Sequence, residues 1–501
     1  MTVNQALSRN VAGIFKQRSA GILLHPTSLP GPLLSGDIGH NAYRFIEFLN
    51  GIGIKVWQML PLGPTHEDRS PYQCLSAHAA NPELISLDWL VDRQWLELAS
   101  ITLPLDDKGY RGACLLQAKA NFYQQQCEEW FAQLAIFKKG QVAWLEDYAL
   151  YVALKKKYRG AAWFAWPAKL AQRDMAAMSA SIAQLSDEIE QVIFEQFVFF
   201  TQWHELHEYA ARHDVKLFGD MPIFVAHDSA DVWASRQNFL MDKNGVMPFV
   251  AGVPPDAFSE TGQRWGNPLY DWEYMASDDF EWWKGRFATQ LTLFDLIRID
   301  HFRGLEACWM IPADEDTAMN GHWQKTPGDE LLAALFESFP YLPLVAEDLG
   351  VITDEVIALK NSYLLPGMKV LQFAFDGNND NPHLPHHQLN NDLVYTGTHD
   401  NDTTLGWACD ENSYNRTFFE QYAGCGGASV EEKVHVMLRM AMASPSCLAV
   451  IPMQDLLMLG SEARMNVPGT VGDNWQWRFE WSQLKPEMVD SIKHYIESNQ
   501  R

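Results

Sequence analysis

The sequence predicts an α/β fold, a (β/α)8 barrel carrying large helical and loop insertions. Eight short and nearly continuous apolar runs carry that expectation: GILLHP (21–26), KVWQMLP (55–61), VKLFGDMP (215–222), LIRIDHF (296–302), PLVAEDLG (343–350), MKVLQF (368–373), LVYTGTHD (393–400) and CLAVIPMQDL (447–456). A strand buried on both faces of a parallel sheet reads this way, whereas a half-solvated strand alternates. Helix-favouring stretches separate the runs, and each run ends in polar, Gly or Pro residues. A barrel places its active site at the strand C-termini, where His25, Asp220, Asp300, Glu347, His399, Asp400 and Asp455 stand.

The spacing of the runs locates the insertions. The barrel is expected to span 1–501, with an inserted, mainly helical subdomain over 62–214. Stretches such as EDYALYVALKKK (146–157) and the long run over 181–210 favour helix there. A second insertion, over 223–295, is rich in Pro, Gly and aromatics and reads as a lid-loop region. GCGGASVEE (424–432) looks like a phosphate loop, but no Gly-Lys-Ser/Thr follows. Ser429 with Glu432 instead makes a capping box that opens a helix.

Composition narrows the function classes. With 47% hydrophobic and 20% charged residues the chain is an ordinary globular protein. Its 38 basic and 63 acidic residues leave a net charge of −25, a field that repels phosphate backbones, so no nucleic-acid partner is expected. No run of 18 apolar residues occurs, so no membrane span is expected. The seven cysteines are scattered, with no C-x-x-C pair, as in a reducing compartment. Arg9, Lys16 and Arg18 interrupt the stretch an export signal would need, so the location expected is cytoplasmic. The 19 Trp, 27 Phe and 16 Tyr suit either a large core or surfaces that stack flat, neutral ligands.

The chemistry-bearing residues cluster at three run ends. Alternation puts Arg298 and Asp300 on one face of the fourth strand, where the guanidinium favours an ionised carboxylate. Such an Asp suits a nucleophile or a cation stabiliser, and equally a structural ion pair. Glu347 follows three apolar residues, and burial there would keep it protonated as a general acid. Thr398-His399-Asp400-Asn401-Asp402 adds a third acidic cluster, and no metal set is evident among them. Two carboxyls of opposed acidity flanking a bond are the apparatus of glycoside chemistry.

The motifs LIRIDHFRG, LVAEDLG, TGTHDNDT, GDMPIFVAHDSADVW, GVPPDAFSETGQRWGNPLYDW, SPYQCLSAHAANPELI and ARMNVPGT together resemble the amylomaltases, or 4-α-glucanotransferases, of the wider α-amylase clan. The resemblance runs from near residue 20 to near 478 and is closest to the compact form without an N-terminal extension. It implies retaining double displacement on malto-oligosaccharides and α-1,4-glucans, with no cofactor and no metal. Asp300 matches the family's nucleophile, Glu347 its acid/base and Asp400 its third carboxylate. Arg298 and His399 match residues gripping the nucleophile and the sugar before the cut, and Asp220 a sugar-contacting Asp. Tyr72 matches a stacking tyrosine, Phe258, Gln263 and Trp265 a mobile lid over the acceptor side, and Asn466 a donor-side residue. In that lid, 254–272, Tyr270 and Trp272 add rings, and Gly252, Gly262 and Gly266 permit movement. One departure stands ahead of Tyr72, where THEDRSPY replaces the Gly-rich stretch of many relatives.

Two other His-rich groups carry less. His204-Glu205-Leu206-His207 is not H-E-x-x-H and sits in a helical stretch. His383, His386 and His387 are split by Pro385 and read as surface loop. The competing functions are a glucan hydrolase of the same clan and a non-catalytic glucan-binding protein. The presence of all three carboxylates argues against the latter.

Overall fold

The computed structural model describes residues 17–101, 109–255, 259–410, 414–470 and 472–501. All eight apolar runs form strands: β1 (Ser19–Leu23), β2 (Val56–Gln58), β3 (Lys216–Pro222), β4 (Leu296–Asp300), β5 (Leu344–Ala346), β6 (Gly367–Val370), β7 (Asp392–Tyr395) and β8 (Leu448–Pro452). They pair in parallel in the order β6-β7-β8-β1-β2-β3-β4-β5. The two outer strands meet where the Ala346 N–H donates to the Pro366 carbonyl at 2.9 Å, just ahead of β6. The sheet thereby curls into the (β/α)8 barrel.

Period-two alternation divides each strand between two cores. Leu23, Val56, Phe218, Leu296, Val345, Val370, Leu393 and Leu448 join in one buried cluster inside the barrel. Their neighbours Ile22, Trp57, Leu217, Ile297, Leu344, Val394 and Ala449 join the larger cluster that packs the helices outside. The inner series then turns polar toward the strand C-termini. Val56 is followed two residues on by Gln58, Phe218 by Asp220, Leu296 by Arg298, and Val345 by Glu347. A polar layer therefore sits on an apolar one. Each fully buried apolar side chain, at roughly 1.5–3 kcal/mol, helps offset the cost of desolvating the charges above it. At Gly219 on β3 a Cβ would lie 2.2 Å from the Phe294 ring, so the segment entering β4 can approach only a glycine.

Between β2 and β3 the chain is mainly helical, ending in the long helix Ser186–Arg212. Two buried glutamines on that helix pin the segment downstream of Tyr72. Gln196 accepts from the Ala80 N–H (2.8 Å) and donates to the Ala80 carbonyl (2.9 Å). Gln202 does the same with Ser86, at 2.8 and 3.1 Å. Each amide is satisfied in both directions, which makes its burial tolerable.

The stretch expected as one lid loop over 254–272 carries more structure than that. Gln263–Pro268 is a strand, paired antiparallel to Phe249–Val253, which pairs with Ala307–Pro312 and that with His322–Lys325. Tyr270 is buried and donates to the Ile223 carbonyl at 2.6 Å, and Trp272 opens a helix. Gly252 lies within the paired strand, where a Cβ would meet the Gln263 carbonyl. Its smallness serves close packing rather than hinge motion. The connection itself contracts to 254–262, and Phe258, with Asp256 and Ala257, lies outside the described residues. The expected capping box forms at helix Val430–Ala443. Among the described residues no helix is long and apolar enough to cross a membrane.

Candidate active site

The register of three adjacent strands assembles the centre of the site. Asp220 on β3 pairs with Arg298 on β4, and Ile299 on β4 pairs with Ala346 on β5. Glu347 therefore comes level with Asp300, and neighbouring strands lie about 4.8 Å apart. Arg298 is buried and forks between two carboxylates. Its Nη1 contacts both oxygens of Asp220 at 2.8 and 2.7 Å, and its Nη2 contacts Asp300 Oδ1 at 2.8 Å. Burial works against the guanidinium charge, but Asp220 and Asp300 overcome it and hold the group protonated. Burial holds the Asp220 carboxyl above its usual range, with Arg298 pulling it back and the neighbouring Asp300 adding to the rise. Tyr72 Oη donates to Asp220 Oδ2 at 2.7 Å.

Glu347 is buried beside this network. Its Oε2 accepts from the His301 N–H at 2.6 Å and its Oε1 from the Leu349 N–H at 2.9 Å. Burial raises its pKa to about 7, Arg298 works against that rise, and Asp300 adds to it. A carboxyl protonated up to neutral pH thus stands next to one gripped by a guanidinium. That pair can deliver a proton to one atom while a carboxylate attacks its neighbour.

The end of β7 supplies the other side of the cleft. The His399 ring stacks on Tyr72, with centroids 5.1 Å apart and planes 14° from parallel. His399 Nε2 lies 3.3 Å from Asp400 Oδ1, and Asn466 Nδ2 donates to the same oxygen at 2.6 Å. His25 and His399 line one hollow with Gln454, Arg464, Met465 and Trp477. On the opposite side the Trp265 indole donates to Gln263 Oε1 at 3.1 Å. The Trp265 ring meets His301 edge-on at 4.9 Å.

The structure therefore brings Tyr72, Asp220, Arg298, Asp300, Glu347, His399, Asp400 and Asn466 around one cleft. Gln263 and Trp265 join it through His301. Asp455, also at a strand end, is not part of it. Its buried carboxylate accepts from Thr396 Oγ1 and from the N–H and Oγ1 of Thr404, tying the β7 loop to β8.

Comparison with known proteins identifies the family. The 4-alpha-glucanotransferase family profile matches residues 24–484. The chain belongs to the 4-α-glucanotransferase family. It is an enzyme, and its reaction is 4-α-glucan transfer. A 4-alpha-glucanotransferase of Thermus thermophilus is 45% identical over 495 residues, covering 97% of this chain and 99% of the relative. One from Synechocystis is 46% identical over 485 residues, covering 93% and 95%. The amylomaltase of Streptococcus agalactiae, solved in complex with acarbose, superposes with a TM-score of 0.92 at 34% identity, covering 97% of this chain and all of the other.

Three residues packed against the candidate site escape sequence reasoning. Trp475 packs near both Tyr72 and His399, each at 5.9 Å. Arg464 donates to the backbone carbonyls of Asp400 and Asn466. His301 presents its amide to Glu347. Arg464 lies within the ARMNVPGT motif and was findable there, whereas Trp475 is one of 19 tryptophans with no periodicity to mark it.

Proposed function

We propose that Asp300 is the nucleophile and Glu347 the acid/base of a retaining double displacement on α-1,4-glucans, with malto-oligosaccharides as donors and acceptors. The observation that carries this reading is a carboxylate held by Arg298 beside a buried carboxyl whose pKa is raised to about 7. Protonated Glu347 gives its proton to the glycosidic oxygen while an Asp300 oxygen attacks C1. The C1–O bond breaks, the protonated glucan fragment leaves, and a glycosyl ester remains on Asp300. Glu347, now a carboxylate, takes the proton from the 4-hydroxyl of an acceptor glucan, whose oxygen displaces Asp300 at C1. Two inversions restore the α configuration.

The remaining residues divide by side. Asp400 stabilises the developing positive charge and holds sugar hydroxyls. Arg298 and His399 grip the nucleophile and the sugar before the cut, with Asp220 and Tyr72 beneath it. Asn466 serves the donor side, and Gln263 and Trp265, with Phe258, the acceptor side. Rings that stack on an acceptor and exclude water favour transfer over hydrolysis. The helical insertion over 62–214 and the segment over 223–295 wall the cleft as subdomains of one catalytic barrel. No cofactor or metal enters any step, and no nucleic acid or membrane is a partner. The seven unpaired cysteines suit work in the cytoplasm.

Incubation with maltotriose tests the reading. The enzyme makes glucose and a ladder of longer chains, and Asp300→Asn lowers turnover by ~10³–10⁴-fold while the protein stays folded. Near-native transfer in that variant would sink the assignment. Because Glu347 must carry its proton, kcat/KM falls as pH rises through about 7. A flat profile between pH 6 and 9 would remove Glu347 from the acid role.

A further inference from the structure

We propose that His301 is a positioning residue whose left-handed backbone, rather than its imidazole, aims the amide that holds Glu347 beside Asp300. His301 follows Asp300 directly and has φ 53° and ψ 53°. That conformation is disfavoured for a side-chain-bearing residue, and His, Asn and Asp occupy it far more readily than branched residues. Strain of this kind persists where surrounding structure imposes it, often at functional sites.

The turn accomplishes something an extended chain cannot. In a strand, consecutive N–H groups point to opposite sides. Here two consecutive amides converge on one residue. The His301 N–H donates to Glu347 Oε2 at 2.6 Å, and the Phe302 N–H donates to the Glu347 backbone carbonyl at 3.1 Å. The His301 carbonyl in turn accepts from the Gly304 N–H at 2.9 Å, which closes the turn. The residue after the nucleophile is thereby stitched to both the backbone and the carboxyl of the acid.

The imidazole has a different situation. It meets Trp265 edge-on, burial lowers its pKa to about 4, and its Nε2 has no hydrogen-bond partner among the described residues. Other charges near Glu347 are already committed. Arg298 and Asp300 face it from β4, and Asp220 of β3 is paired with Arg298. Asp348 is paired with Lys360 at 2.6 Å, and His399 with Asp400. The amides of His301 and Leu349 favour the ionised carboxylate and oppose the rise that burial causes.

The inference rests on Glu347 being the acid/base, and the experiment separates the two. His301→Gly, His301→Asn and His301→Val are compared in maltotriose disproportionation across pH, with Glu347→Gln as reference. Gly and Asn enter the left-handed region, whereas Val does so only under strain. Gly and Asn are expected to keep the alkaline limb of kcat/KM where the parent has it, whatever losing the imidazole does to KM. Val moves that limb up by about one pH unit or more, because the carboxylate loses a donor. If Gly moves the limb as far as Val, the imidazole is responsible and the proposal falls. It falls too if Val leaves the limb in place. Should Val fail to fold by circular dichroism, His301→Ala, intermediate in strain, is read by the same two outcomes. A parent-like pH profile in Glu347→Gln would instead overturn the reading of Glu347 itself.

Discussion

The carboxylates on the two sides of the cleft are held in opposite ways. On β3, Asp220 has a side chain 1% exposed and spends both oxygens on Arg298 and Tyr72. Beyond β7, Asp400 is 46% exposed, with Asn466 and His399 both on its Oδ1. The first is a closed network, complete before any sugar arrives, in a medium where charge interactions are strong. The second keeps lone pairs free for hydroxyl groups. On the proposed mechanism, the contrast assigns one set of acidic residues to shaping the nucleophile and the other to meeting the substrate.

Arg298→Met breaks the closed side and should have the largest effect. It leaves Asp220 buried without its counter-ion, and removing one partner of a buried pair costs about 3–5 kcal/mol. Denaturant unfolding should register that loss, and transfer from maltotriose should vanish with it. Unchanged stability would mean the network is more solvated than its burial implies, and the contrast would fail. Asp400→Asn probes the open side. The amide is the same size and the site is half exposed, so stability should stay within about 0.5 kcal/mol. Turnover should nevertheless drop by ~10²–10³-fold, because the proposed mechanism has that charge facing the transition state. A large stability loss there would make the two sides alike.

Much of this was legible before any coordinates, for definite physical reasons. Strands buried on both faces must be apolar, so all eight barrel strands announce themselves. Alternation alone puts Arg298 and Asp300 on one face, and their contact at 2.8 Å follows. The Ser429–Glu432 box is local chemistry and forms as read. Register between strands is not local. Nothing within one run says that Arg298 also takes Asp220, 78 positions earlier, or that Glu347 comes level with Asp300. Backbone torsion is hidden for the same reason, since His301 reads as any histidine until its left-handed turn is seen. Asp455 shows the converse error, a strand-end acid whose lone pairs are already used by Thr396 and Thr404. The stretch over 254–272 misled because glycines and rings suit a mobile loop and a tightly packed antiparallel strand equally well.

Tyr72 joins the two sides, and Tyr72→Phe is the mildest way to test the join. Its hydroxyl belongs to the closed network through Asp220, while its ring belongs to the open side through the stack on His399. Phenylalanine keeps the ring and removes only the hydroxyl. Asp220 retains both contacts to Arg298, so the loss is one charge-assisted bond among three. Turnover on maltotriose should fall roughly 10-fold, the effect of about 1.4 kcal/mol on a barrier, with KM nearly unchanged. Tyr72→Ala removes the stack as well and should raise KM in addition. If Phe is as damaging as Ala, the ring contributes nothing and His399 is held by Asp400 alone. If Phe behaves as the parent, Arg298 suffices to fix Asp220, and the two sides of the cleft act independently.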